Sequence, residues 1–420
     1  MPYQGFRLGL ATALLGILAT GCGQKPQALH PISLSHPAPA PRHKTPEGPS
    51  VPRAYANFDM LSSSVGWVMT PSAILRTIDG ARQWTVVHRF TASQQNPLRS
   101  FYFTDTEQGW TLDGTNVLRT TDGGQTWTKG ALPSGSARDF GGFQPSGVID
   151  GVDTEFAWLA SAGAQFGKVR VSAHIFDTFD GGGHWSLAYP PASKGSALAG
   201  SPAFHGGWVT SLSFDSPSTG WATVDNVPGA PGGTCLLYET TNGGETWTQA
   251  TMAYPKELEA AQYSMCVEAP RFFGTGNGVA LVVFGSLKSA PVVHDFVYTT
   301  SNGGRSWTPI ASPTLSPLGT VAYLSPSTWL LQTEGTVWVT TTAGSSWKHI
   351  TLTVPLGGTT GSFGIYHGPL EFVSLNTWFY FPWTDDAVWM TTDGGETWTS
   401  TTMQVTNPAE GTLGPSSVTP

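Results

Sequence analysis

One eight-residue segment recurs seven times along the chain, and no other feature narrows the fold as far. In its fullest form it reads Thr120-Thr121-Asp122-Gly123-Gly124-Gln125-Thr126-Trp127. It returns as Thr77…Asp79…Trp84, Thr178…Asp180…Trp185, Thr240…Asn242…Trp247, Thr300…Asn302…Trp307, Thr340…Thr342…Trp347 and Thr391…Asp393…Trp398. Successive copies stand about 40 to 60 residues apart, the length of one four-stranded blade with variable loops. We call this segment the box.

A second element precedes each box: Gly66-Trp67, Gly109-Trp110, Ala157-Trp158, Gly220-Trp221, Gly278-Val279, Thr328-Trp329 and Thr377-Trp378, with Asp59, Asp105, Asp153, Asp215, Ser325 or Ser374 upstream as a turn residue. Just before the box, large residues (Leu75, Leu118, Phe176, Tyr238, Tyr298, Trp338, Trp389) alternate with variable ones (Arg76, Arg119, Asp177, Glu239, Thr299, Val339, Met390), the period of a strand with its large residues inward. Each repeat is therefore expected to run strand A, turn, strand B from Gly-Trp, loop, strand C, box, strand D from the box Trp. One such sheet cannot bury both faces, whereas sheets packed radially can, and the closed solution is a propeller. The expected fold is all-β, a seven-bladed β-propeller of four-stranded antiparallel blades over residues 54–404. No strand that closes the ring stands out. Composition agrees: 51 Gly, 32 Pro and 17 Trp suit short strands and tight turns, and charged residues are only 11% of the chain.

The box has the chemistry of a turn. Asp or Asn accepts bonds from backbone N–H groups a few residues on, Gly supplies positive φ, and Thr hydroxyls bond the loop backbone. Because the same residue recurs in equivalent places, Asp79, Asp122, Asp180, Asn242, Asn302 and Asp393 read as folding residues and not as catalytic groups. All but Trp208 and Trp383 of the 17 Trp fill a box, Gly-Trp or strand C slot.

The net charge of −8 and the lack of any Lys/Arg cluster exclude a nucleic-acid partner. There is no His-Glu-x-x-His, Gly-x-Ser-x-Gly or phosphate-cradling motif, so no catalytic residue, metal or cofactor is expected. Arg7 precedes an apolar run from Leu8 to Ala19, shorter than the ~20 residues that span a bilayer, and residues 1–21 read as an export signal. The run ends in Ala19-Thr20-Gly21-Cys22-Gly23, which resembles the lipobox of bacterial lipoproteins with Ala19 in place of Leu. The resemblance implies an acylated Cys22 and attachment to the outer face of a bacterial membrane; cleavage near Gly21 without lipidation is the other reading. Residues 22–53 are Pro-rich and read as a tether of roughly 90 Å at ~3.1 Å per residue, and residues 405–420 as a disordered tail. Pro255 is expected to begin a short helix. Cys235 and Cys266 are a disulfide pair in an exported chain, or else two small buried thiols.

The box resembles the Asp-box, or bacterial neuraminidase repeat, Ser/Thr-x-Asp-x-Gly-x-Thr-Trp. With the upstream Asp-x-x-x-Gly-Trp element, the region from Ala54 to Thr402 is similar to the photosystem II assembly and stability factor family of repeat propellers. Ala81, His184 and Thr342 depart from the box pattern. The resemblance implies a non-catalytic exported propeller that binds a protein, with a membrane-protein precursor as the partner, and touches the membrane through its lipid anchor only. Asp-box repeats also serve sialidases and xyloglucan hydrolases, so a glycan-active protein, hydrolase or lectin-like, is the alternative. Against a sialidase, the Arg-Ile-Pro motif is absent.

Strands alternate in direction, so A–B turns and boxes share one face, and B–C and D–A loops share the other. Variable loops on the second face make it the expected binding face. Its candidate residues are Trp383, Asp385, Asp386, Asp113, Glu334 and Lys168. One outcome tests the anchor: Cys22→Ala is expected to release the protein from the membrane fraction and to change its processing, and a variant that stays membrane-bound with unaltered processing rejects lipidation.

Overall fold

The structure is a computed structural model that describes residues 57–90, 99–113, 116–131, 148–153, 155–161, 165–166, 169–170, 174–189, 204, 208–225, 235–258, 263–274, 276–286, 293–310, 321–333, 335–354, 370–382 and 387–406. Cys22, the signal and tether, Lys168, Glu334, Trp383, Asp385 and Asp386 lie outside the described residues. Among the described residues every regular element is a strand. Of the short helix expected from Pro255, within Tyr254 to Ser264, residues 259–262 lie outside the described residues; the described part is a single turn, in which Leu258 N donates to Pro255 O at 3.2 Å, and Tyr263 and Ser264 belong to a strand.

In the first repeat, strands A to D are Asn57–Met60, Gly66–Met69, Ala73–Thr77 and Gln83–Arg89, hydrogen-bonded antiparallel in that order. The second repeat (Arg99–Phe103, Gly109–Asp113, Asn116–Thr120, Thr128–Ala131) follows the same order, as do the third, sixth and seventh. The fourth and fifth are fused into one ten-stranded sheet. The fusion runs through an added strand, Tyr263–Val267, which pairs with strand B of the fifth repeat and, at Cys266, in parallel with Cys235 on strand C of the fourth. Cys235 and Cys266 are joined there by a disulfide, with Cα atoms 4.1 Å apart.

A parallel edge pairing links outer strands. After strand D of the fourth repeat the chain runs on as Thr251–Met252 alongside Ser306–Pro309, strand D of the fifth. After strand D of the seventh, Gln404–Thr406 lies in the same way along Gln83–Arg89, strand D of the first. This second pairing closes the cycle, and it draws Val405 and Thr406 into the sheet from the segment expected to be disordered tail. Phe379 and Phe381 of the seventh repeat pack with Phe58, Ala81 and Trp84 of the first in one buried cluster.

Neighbouring sheets meet through aromatic rings. Trp67 stacks on Phe103 of the next repeat with ring centroids 3.7 Å apart, Trp158 on Phe214 at 3.7 Å and Trp221 on Phe272 at 3.5 Å. Each Phe pairs across strands A and B with the Gly of Gly-Trp or Gly-Val and lies over it; a Cβ built on Gly109 would stand 2.3 Å from the Phe103 ring. In the third repeat the pair is exchanged, with Ala157 opposite Gly151, and Trp110 comes close to Gly151.

The register corrects two sequence matches. Gly66, Gly109, Gly220 and Gly278 each pair with the first Thr of their box. In the sixth and seventh repeats Trp329 pairs with Thr340 and Trp378 with Thr391, so Trp takes the Gly position and the opposite face of the sheet. These two Trp pack on Gly344 and Gly395 of their own boxes, whereas Trp110 and Trp221 pack on Gly182 and Gly304 of the following repeat. The variable residues of strand C are not all outward either: Asp177 and Val339 are buried, because each sheet is covered by a neighbour on both faces.

The Gly hollow gives a direct test. Gly109→Ala is expected to lower stability by about 1–3 kcal/mol through overpacking against Phe103, read as a lower urea midpoint at unchanged slope. An unchanged midpoint would mean that the Phe ring does not fill that hollow.

Candidate functional site at the axial cavity

The boxes spend their polar groups internally. Thr120 Oγ1 donates to Asp122 Oδ1 at 2.8 Å, Thr126 N to the same oxygen at 2.9 Å, and Thr126 Oγ1 to Asp122 Oδ2 at 2.6 Å. Asp393 repeats this pattern with Thr391 and Thr397, and Asp180 accepts from His184 N at 2.9 Å. Asp79, Asn242 and Asn302 accept from Gln83, Thr246 and Ser306 N–H groups, and in the sixth box the Thr342 hydroxyl takes over from the carboxylate. The two residues after the acid adopt left-handed backbone, with φ 73° and 97° at Gly123 and Gly124, and Ala81 and Ala343 are held there too at 67° and 51°. The Thr397 hydroxyl, then its N–H and the Thr391 hydroxyl, hold Asp393 down to about 2; Asp180 is likewise held down to about 2, with the His184 N–H as the largest cause. Burial raises Asp122, but its bonds from Thr126 and Thr120 outweigh that and leave it below the usual range.

Of the expected binding residues, Asp113 alone is described. It ends strand B of the second repeat, and its Oδ2 lies 3.4 Å from His88 Nε2 on strand D of the first.

A concavity of about 770 Å³ lies on the axis between the A strands. The register defines an axial slot, the strand A residue opposite the one that follows the Gly of strand B: Asp59, Tyr102, Asp150, Ser213, Arg271, Ala322 and Glu371, one from each repeat. Six of them line the cavity, and the seventh, Asp150, accepts from the backbone N of its wall residue Phe214 at 2.6 Å. Ser213 Oγ donates to Pro270 O at 2.9 Å, again from one A strand to the next.

Burial dominates the electrostatics here. It pushes Asp59 up to about 6 and Asp150 up to about 7, in the latter case against the N–H bonds of Phe214 and Gly151. Glu371 rises well above the ordinary carboxylate range through burial and then through the charge of Asp59. Tyr102 is raised by burial and by Asp150 and Asp59, with Arg271 opposing; burial lowers Arg271. No group of three or more His, Cys, Asp or Glu among the described residues has the arrangement of a metal site.

Sequence reading missed this site. Asp59, expected as a turn residue, does not cap the turn: that role belongs to Ser62, whose Oγ accepts from Val65 N at 2.9 Å as Asp105 accepts from Gln108 N at 2.8 Å. Likewise Ser216, and not Asp215, accepts from Thr219 N at 3.0 Å. The missed signal was a polar residue between two apolar ones on strand A, as in Phe58-Asp59-Met60, Ile149-Asp150 and Leu370-Glu371-Phe372.

No protein-family model matches the chain, and no curated protein matches it. Among solved structures it is similar to the GH74 xyloglucanase from Xanthomonas campestris, at 15% identity and a TM-score of 0.50 over 81% of this chain. The match covers 54% of that enzyme, so the chain spans about half its length. It is also similar to YCF48 bound to D1 peptide (17% identity, TM-score 0.43, 74% of this chain and 87% of that one) and to a PL25 ulvan lyase (9%, 0.43, 73% and 82%). The fold is that of a propeller.

The raised acids set a pH dependence. Asp150 moves from 3.8 to about 7, so the folded chain holds a proton that the unfolded chain has lost. Stability from this site is present in full below the unfolded value and is lost as pH rises through the folded one; Asp59 acts in the same direction. The urea midpoint is expected to fall between about pH 4 and 7, and Asp150→Asn, which keeps an oxygen for Phe214 N, should flatten that fall. A midpoint that rises across this window would contradict the burial of these groups.

Proposed function

We propose that this chain is a non-catalytic, seven-bladed propeller of the Asp-box type that is exported, is held to the outer face of a bacterial membrane by lipid on Cys22, and binds a protein partner in the assembly or maintenance of a membrane complex. The observation that carries the reading is the common direction in which the axial carboxyl groups are pushed. Hydrolysis of a glycosidic bond takes two carboxyl groups whose surroundings drive their pKa values apart, one neutral to protonate the leaving group and one ionised to act as nucleophile or base. Asp59, Asp150 and Glu371 are all driven upward by burial. The carboxylates driven downward, Asp122, Asp180 and Asp393, are bonded inside their own turns. Among the described residues the two kinds do not share a site, and a wall of buried acids and aromatic rings is better suited to holding a ligand than to dividing acid from base.

The cavity itself favours the second reading, a glycan-active protein, since about 770 Å³ on the axis accommodates a sugar unit and carboxyl groups stand in its wall. The two readings part in one assay. The full chain and its Glu371→Gln variant are incubated with xyloglucan, ulvan and sialyllactose, and new reducing ends are measured. We expect no release above background from either. Release by the native chain that Glu371→Gln abolishes would replace the binding reading with a hydrolytic one.

A further inference from the structure

All four exposed large apolar side chains among the described residues stand on one face. Leu61 and Leu375 lie in the A–B turns of the first and seventh repeats, and Ile78 and Phe179 are the second residues of the first and third boxes. In every repeat a box N–H donates to a carbonyl of the A–B turn, as Gly80 N does to Ser64 O at 3.0 Å and Gly394 N to Asn376 O at 2.9 Å, so turns and boxes form one plate. The axial cavity runs out to this plate, for its wall includes Leu61, Leu324 and Leu375 from the turns. Scattered exposed apolar residues are ordinary; here two of the four flank the mouth of a cavity.

Inside that rim the titratable groups are one-sided. Asp59, Asp215, Glu268 and Glu371 stand in the wall against the single guanidinium of Arg271. Asp150, 1% exposed, stands beside that wall: one oxygen accepts from the N of wall residue Phe214, and its Oδ1 has no hydrogen-bond partner. A flat bilayer surface cannot enter such a cavity, whereas one long side chain can.

We infer that this mouth, on the box face, is a docking site for a segment of a protein partner that carries a basic side chain between apolar ones. The ammonium or guanidinium group enters toward Asp59 and Glu371, and its apolar neighbours lie on Leu61 and Leu375. This rests on the partner-binding reading and names the chemistry of the partner and the face it uses, which is the opposite of the one expected from loop lengths.

The test uses the full chain and three labelled, end-blocked pentapeptides, Ser-Leu-X-Leu-Ser, with X as Lys, norleucine or Glu, read by fluorescence polarisation. The Lys peptide is expected to bind about tenfold more tightly than the norleucine peptide, and the Glu peptide more weakly than both. The double variant Asp59→Asn, Glu371→Gln, which keeps shape and removes two carboxyl groups that can ionise against an incoming cation, should erase the Lys preference, and Leu61→Ser, Leu375→Ser should weaken the Lys and norleucine peptides alike. Equal binding of Lys and norleucine peptides overturns the proposal, and so does a Lys preference that survives the double variant. Uptake onto phosphatidylglycerol vesicles by Cys22→Ala chain, lost in Leu61→Ser, Leu375→Ser, overturns it in favour of a membrane surface. If the double variant does not fold, the Lys-to-norleucine ratio of the native chain decides.

A photo-crosslinking residue placed in the native membrane at Leu375 or at Ser72, an exposed residue between strands B and C on the other face, separates this proposal from the reading beneath it. Adducts from Leu375 that the double variant loses support the site. Adducts from Ser72 alone overturn the site and leave partner binding standing, and adducts from neither position overturn both.

Discussion

The ring depends on a joint between neighbours: a Trp on strand B of one repeat lying flat on a Phe from strand A of the next. At Trp67 and Phe103 the planes are within 10°, and at Trp158 and Phe214 within 3°. The Phe reaches that position because a Gly under it has no Cβ, and the Trp is held from the far side by the next box, with Trp67 Nε1 donating to Gly123 O at 3.1 Å and Trp158 Nε1 to Gly243 O at 2.8 Å. The box carbonyl faces the indole only because Gly123 and Gly243 adopt positive φ, which an L side chain resists. Gly-Trp, Phe and box are thus one device divided between two repeats, and this is why they recur together. A single sheet carries half of two joints and completes neither, so its stability comes from its neighbours.

The architecture was legible because this joint writes the same letters each time, and the reading failed where the joint is rebuilt. Thr328-Trp329 and Thr377-Trp378 look like Gly66-Trp67, yet Thr cannot provide the hollow, and the Trp moves back by one residue to fill the Gly position itself. A one-residue shift turns the ring to the other face, where Trp329 and Trp378 cover the glycines of their own boxes. Leu330 and Phe379 then occupy the position that Trp67 holds in the first repeat. The ring closure was illegible for a different reason. Thr251–Met252 and Gln404–Thr406 dock by parallel backbone pairing along an outer edge, which asks little of side-chain identity and leaves no motif.

The axial site was hidden by an ambiguity of letters. Asp in the box and Asp on strand A are the same residue with opposite physics. In the box the carboxylate collects N–H and hydroxyl donors at the surface, and the charged form is favoured. On strand A it is stripped of water with few donors, and the neutral form is favoured. Sequence periodicity marks both as polar and cannot tell them apart; only the register, which sets Asp59, Asp150 and Glu371 in equivalent places opposite Trp67, Trp158 and Phe379, does so.

A fold made by repetition can acquire a specific site only where its repeats differ, and the axial slot holds Asp, Tyr, Asp, Ser, Arg, Ala and Glu in turn. Short residues there serve the frame: Asp150 reaches the backbone N of Phe214 and Ser213 the carbonyl of Pro270, each tying one A strand to the next. Tyr102, Arg271 and Glu371 are longer than such a tie needs, and they stand in the cavity wall. Burying carboxyl groups in that wall costs stability as pH rises toward neutrality, and the fold keeps them while using the same slot in the sixth repeat for nothing more than Ala322. A slot that Ala can fill does not need an acid for packing. The acids of the first and seventh repeats are therefore surplus to the frame, and a charged partner entering the axis is what would return the energy that their burial withholds.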